Sequence, residues 1–201
     1  MFVLTVDQKN SRRSPDRVPE ALARLGREFR PVVAFERTVG DELQGVLDDP
    51  ADVVAATLEL VRWDEWYVGV GAGSVEEPLP ASAREARGPA FVMAREAVER
   101  AKRRPSGVAV VGADAEAARE AEAVLALLAT VVRRRSDAAW DAVDLVSTGL
   151  SATDAAGKLG VSRQAVGQRL AAGGWQQERD VRPVVATLLA RAEGTHHPVP
   201  A

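Results

Sequence analysis

Few side chains in this 201-residue chain have the types and spacing that chemistry requires. There is no cysteine, which excludes disulfides and thiol catalysis. The two histidines, His196 and His197, are adjacent in a Pro-containing tail, and two His alone do not make a zinc site. Carboxylates remain. Asp41 and Glu42 follow Gly40 in the stretch Phe35–Leu47. Phe35, Arg37 and Val39 share one parity before the turn, and Leu43, Gly45 and Leu47 share one after it. That pattern predicts a β-hairpin with Gly40-Asp41 at its tip. Such a turn holds both carboxylates off the end of a sheet, where they could ligate a hard cation such as Mg²⁺. The plain alternative is a solvated turn, for which Gly, Asp and Glu are ordinary residues.

A second set of polar residues lies in Leu150–Leu170, which reads as a helix-turn-helix. Ser151 and Ser162 are placed to cap its two helices. Ala156 is small where the helices must cross, and Gly160 permits the positive φ of the turn. Leu159, Val161, Val166 and Leu170 are the expected buried contact. Ser162, Arg163, Gln164, Gln168 and Arg169 are then the expected DNA-binding residues, of types that read base edges or bind phosphate. The alternative is a helical hairpin that touches no nucleic acid. Between Ser151 and Arg182 there are five basic and three acidic residues, in a chain of net charge −3.

The elements that must position these residues follow from periodicity. Met1 to Val6 predicts a strand ending at Asp7, and Lys9 to Arg13 a basic loop. A helix opens at Pro15-Asp16, with Val18, Ala21, Leu22, Leu25 and Phe29 at helical spacing, and Pro31 ends it. After the hairpin (32–47), Asp48-Asp49-Pro50 opens a helix with Val53, Val54, Thr57, Leu58 and Val61 on one face. Trp66 to Ala72 is a strand, 74–87 a loop, Gly88-Pro89 to about Arg104 a helix, and Gly107 to Val111 a fifth strand. The first six elements have the ferredoxin-like order, an antiparallel sheet with two helices on one face. That topology carries Asp7 to the neighbourhood of Asp41. Asp114 to Val132 predicts a helix with a stripe of Val124, Leu127, Leu128 and Val131. Arg133-Arg134-Arg135 then suits either the helix dipole or a DNA phosphate. Ala139–Ser147 is a short helix and Arg179–Ala192 a last one, with Val184, Val185, Leu188 and Leu189 inward. Trp175 is assigned to the core.

Two resemblances rest on these residues. Leu4–Arg12, Thr38–Gln44, Val68–Gly73 and Gly88–Ala97 resemble the SatD family. The same stretches are more distantly similar to class III nucleotidyl cyclases, palm-like enzymes that work as dimers. This second resemblance implies a metal site at Asp7 and Asp41, with Mg²⁺ and a purine nucleotide as ligands. It implies a base-reading role for Arg37, an acidic partner in Glu85 and a triphosphate contact from Arg95. The cyclase Asn four residues before that Arg is replaced by Phe91, or by Val92 counting from Gly88. Neither can donate a hydrogen bond to a reacting phosphate. The resemblance thus implies binding without ordinary turnover.

The hydrophobic share of 46% is that of a globular chain, and no apolar run reaches spanning length. Met1–Asp7 lacks a basic leader and cleavage site, so a signal peptide is not expected there. The expectation is a cytoplasmic α+β protein of several parts. Residues 1–112 are a ferredoxin-like palm domain, 113–135 a connecting helix, 136–193 a helix-turn-helix domain and 194–201 a disordered tail. The expected partners are DNA and a second copy of the chain, with no membrane. A nucleotidyl cyclase or transferase, and a degenerate palm that serves only for pairing, are the rival readings.

Overall fold

Phe2–Gln8 form strand β1, and nearly every side chain in it is buried. A strand apolar on both faces belongs in the middle of a covered sheet. β1 accordingly lies between β3 (Glu42–Leu47) and β4 (Trp66–Ala72), antiparallel to both. β2 (Val33–Arg37) pairs antiparallel with β3, and β5 (Val108–Gly112) pairs parallel with β4. The sheet order is β2-β3-β1-β4-β5. This computed structural model describes residues 1–194, whose architecture is α+β: one five-stranded sheet and eight helices.

The two sheet faces are covered differently. On one, Phe2, Leu4, Val6, Leu43, Val68, Val70 and Val108 meet α1 (Val18–Glu28), α2 (Pro50–Arg62), α4 (Ala115–Arg133) and α8 (Trp175–Ala192) in a single large core. On the other, Val3 and Val46 meet α3 (Pro89–Ala101) through Ala90 and Ala94. α3 approaches the sheet closely because Gly69 and Gly71 have no side chain. A Cβ on Gly69 would fall on the backbone of Val98, and one on Gly71 on that of Ala90. The alanines of α3 and the glycines of β4 are one device, a flat contact between backbones.

The remaining helices, α5 (Asp137–Ser147), α6 (Ala152–Leu159) and α7 (Arg163–Ala172), enclose a small core of their own around Ala142, Ala155, Ala156 and Val166. Leu159, Val161 and Leu170 pack against it, as expected. Among the described residues, no helix is long and apolar enough to cross a membrane. His196 and His197, and all but the first residue of the expected tail, lie outside the described residues.

Several expectations need correction. α1 begins at Val18, not at Pro15-Asp16, because the Arg17 N–H is drawn to the Gln8 side chain and the Val18 N–H to the Asp16 carboxylate. The buried face of α4 is Ala117, Ala118, Ala121, Leu125, Leu128, Ala129 and Val132, so Leu127 points outward. Counting only the large residues rotated the stripe, since alanines carry half of it. In α8, Val185 and Leu189 are inward but Val184 is half exposed. That helix begins at Trp175, which is only partly buried. Arg135 is neither a dipole cap nor a phosphate ligand; it is buried. Arg133 is committed as well, to Asp64 at 2.7 Å and to the carbonyls of Pro105 and Ser106.

Candidate functional site

The α6–α7 pair is built by local rules. Ser151 Oγ accepts from the Asp154 N–H at 3.1 Å, and Ser162 Oγ from the Ala165 N–H at 3.1 Å. These are N-cap bonds that satisfy otherwise orphaned helical donors. Between the helices Gly160 sits at φ +64°, a left-handed conformation that L side chains resist. Val166 faces the small core, and Ser162, Arg163, Gln164 and Gln168 are exposed while Arg169 is half-buried. Arg163, Gln164 and Gln168 line a shallow open groove with Gly167. A Cβ on Gly167 would touch nothing, so no packing inside the protein requires glycine there. Among the described residues, Lys158, Arg163 and Arg169 have no ion pair.

This small module is tied to the sheet by buried charge. The Arg135 side chain, fully buried, donates to Glu178 Oε2 at 2.5 Å and to the Gly173 carbonyl at 3.0 Å. Arg182 also donates to Glu178. The Arg135 guanidinium lies 4.3 Å from the Trp140 ring, and that of Arg62 lies 3.9 Å from it. Arg62 in turn donates to both oxygens of Asp144, at 2.7 and 2.8 Å, joining α2 to α5. A cleft of about 470 Å³ lies beside these bonds, with Phe29, Glu59, Trp140 and Trp175 in its walls. Burial raises the Glu59 carboxyl above the usual glutamate value, against the pull of Arg24.

At the end of the sheet the strands bring the expected metal ligands together. Asp7 stands opposite Glu42 in the β1–β3 register, and Asp41 is the next residue of the turn. Gly40 closes that turn at φ +60°. Burial raises the pKa of Asp7, with the Asp41 and Glu99 charges adding to it and Lys102 opposing it. Arg37 and Asp41 line one hollow with Gln8, Ser11 and Arg12; Asp7 lines the adjoining one, again with Gln8, Ser11 and Arg12. Arg37 donates to Asp16 Oδ2 at 2.5 Å and to the Gly40 carbonyl at 3.1 Å. That bond to Arg37 pulls the Asp16 carboxyl below its usual range.

The two carboxylates are of the right chemistry for a hard cation. However, the Lys102 ammonium lies 3.0 Å from Asp7 Oδ2 and already balances the charge of that carboxylate. A divalent ion there competes with it. Among the described residues, no group of three or more His, Asp or Glu stands ready for a metal. The other two expected ligand residues are apart from this cluster. Arg95 is exposed on α3 and lines a separate hollow with Thr38, Arg84 and Phe91. Glu85 is exposed in the loop before α3, its N–H bonded to the Ser82 carbonyl.

Sequence reasoning missed Lys102, Gln8 and Trp140. Gln8 ends β1 facing inward, and its amide donates to the Pro15 carbonyl while its oxygen accepts from the Arg17 N–H. It thereby shapes the loop that carries Arg12 and Arg13. A polar residue at the end of a buried strand was the available signal. Lys102 gave none, being one of several bases near the end of α3. Comparisons with protein families, with curated proteins and with solved structures find no match to this chain.

Proposed function

We propose that this chain is a DNA-binding regulatory protein, with α6 and α7 as a helix-turn-helix and α7 as the recognition helix. The observation that carries the reading is the outward face of α7. Arg163, Gln164 and Gln168 are exposed beside a glycine that packing does not need, and the arginines hold no carboxylate. Arginine and glutamine suit guanine and adenine edges, and an unpaired arginine loses no internal bond on reaching phosphate. The capped helices and the left-handed Gly160 support the same reading. The sheet, in this reading, is a ferredoxin-like palm extended by β5. It binds a purine nucleotide with Mg²⁺ through Asp7 and Asp41, with Arg37 beside them. When bound, the cation would neutralise the phosphates; the chain supplies the carboxylates and the guanidinium. The protein works in the cytoplasm as a homodimer.

The test is binding by fluorescence anisotropy to duplexes selected from a random pool, at two salt concentrations. Specific binding that weakens as salt rises is the expected result. No salt-dependent binding to any duplex overturns the reading. A second reading for the sheet, a pairing scaffold without ligand, is favoured by the Lys102–Asp7 bond. Calorimetry with ATP and GTP, with and without Mg²⁺, separates the two: absence of heat with either nucleotide leaves the scaffold.

A further inference from the structure

Leu127 is 66% exposed in the middle of α4, and Val184 is 51% exposed on α8. The two helices run antiparallel side by side. Glu120 meets Arg191 at 3.2 Å at one end, and Val131 covers Gly174 at the other. Leu127 and Val184 therefore belong to one outer face. The α4 side of that face is otherwise small, with Ala123, Ala126 and Thr130 around Leu127. Isolated exposed leucines are common. This one sits in a charge pattern that answers itself.

Glu120 stands seven residues before Leu127 and Arg134 seven after it. Seven residues are about two helical turns, so all three share a face, with each charge about 10 Å from the leucine. Both charged residues are exposed, and among the described residues Arg134 has no ion pair. We propose that a second copy of this chain covers the α4–α8 face, related by a two-fold axis through Leu127. The axis sets Leu127 against its own copy, and it sets Glu120 against the partner's Arg134 twice over. An isologous interface requires such self-complementarity. The helices span roughly 28 Å, and two of them side by side bury on the order of 1,000 Å² in total, near the lower limit for a specific interface. Reversible pairing in the micromolar range is the expected behaviour. The proposal stands on this surface itself, and it supplies the pairing that the DNA-binding reading requires.

Sedimentation velocity of the full chain from about 1 to 100 μM, a range that spans micromolar affinity, is the test. The wild-type chain should pass reversibly from monomer to dimer. Leu127→Glu should remain monomeric throughout, with an unchanged circular dichroism spectrum. Glu120→Arg and Arg134→Glu should each weaken pairing, and the double reversal should recover it. A wild-type chain that is monomeric throughout overturns the proposal. So does a dimer indifferent to Leu127→Glu, or a double reversal no better than the single ones. Anisotropy on a single half-site keeps the two proposals apart: monomeric Leu127→Glu should still bind there if α7 reads DNA.

Discussion

Arg163 and Arg169 on α7 have no carboxylate partner among the described residues, whereas at the sheet end Lys9, Arg37 and Lys102 each hold one and Arg12 and Arg13 beside them hold none. There Lys9 is bonded to Asp64, Arg37 to Asp16 and Lys102 to Asp7. An anion approaching α7 breaks no ion pair inside the protein, so no internal bond offsets its screened Coulomb attraction. A ligand that engages Asp7, Arg37 or Lys9 must exchange one ionic partner for another, and only the difference remains. The two surfaces thus differ: the cations of α7 are unpaired, whereas at the sheet end unpaired arginines stand beside committed ones. The lesson is that charge type alone does not mark a binding surface; the partner each charge already holds decides what it can do.

Four experiments break or sharpen this contrast. The largest effect is expected where the module bearing α7 joins the sheet. Glu178→Ala leaves the buried Arg135 without its carboxylate and should cost about 3–5 kcal/mol of stability, measured by urea unfolding. A loss below 1 kcal/mol would mean the module is held by something else. Next comes the open surface: Arg163→Ala and Gln164→Ala should each weaken specific binding by about 1–3 kcal/mol if they touch bases. Arg169→Ala should weaken specific and non-specific binding alike and lower the salt slope, since a half-buried base is placed for phosphate.

Gly167→Ala sharpens the same surface. In an exposed helix the change should stabilise the protein by about 0.5–1 kcal/mol, yet reduce DNA affinity by crowding the groove. Equal affinity in the more stable variant would show that nothing approaches Gly167. The smallest effect is one of pH. Glu59 has its pKa raised in the folded state, chiefly by burial, so the folded chain binds its proton more readily than the unfolded one. Its ionisation therefore costs stability, and that cost grows as pH rises from the ordinary glutamate value through the folded one. Glu59→Gln should raise the melting temperature at pH 7, and the gain should vanish as pH falls below the unfolded glutamate range. A gain that is constant with pH would assign the effect to packing instead.

Where local rules act alone, the sequence was legible. The alternation before and after Gly40 gives the hairpin, and Ser151, Gly160 and Ser162 give both ends of α6 and the start of α7 to within a residue. β1 was legible because a run of apolar residues on both parities has only one comfortable place in a sheet. What failed depended on contacts distant in sequence. The face of α4 is set by which residues let β5 and α8 come close, and alanines do that without announcing it. Lys102 meets Asp7 only because α3 lies flat across Gly69 and Gly71, so that its C-terminal end stops beside the end of β1. Arg133 and Arg135 look identical in sequence to Arg134, but only Arg134 emerges.

The indole of Trp140, with Arg62 from the sheet-bound α2 and Arg135 from the end of α4 against it, is a natural optical gauge. Cations against the ring perturb its electronic states, and both depend on the docking of α5 on the rest of the chain. Trp66 is sealed in the main core and provides a steady reference within the same molecule. With Trp63 and Trp175 replaced by Phe, ultraviolet emission would record, without any added label, how tightly α5, α6 and α7 are clasped to the sheet when a DNA duplex or a nucleotide is added.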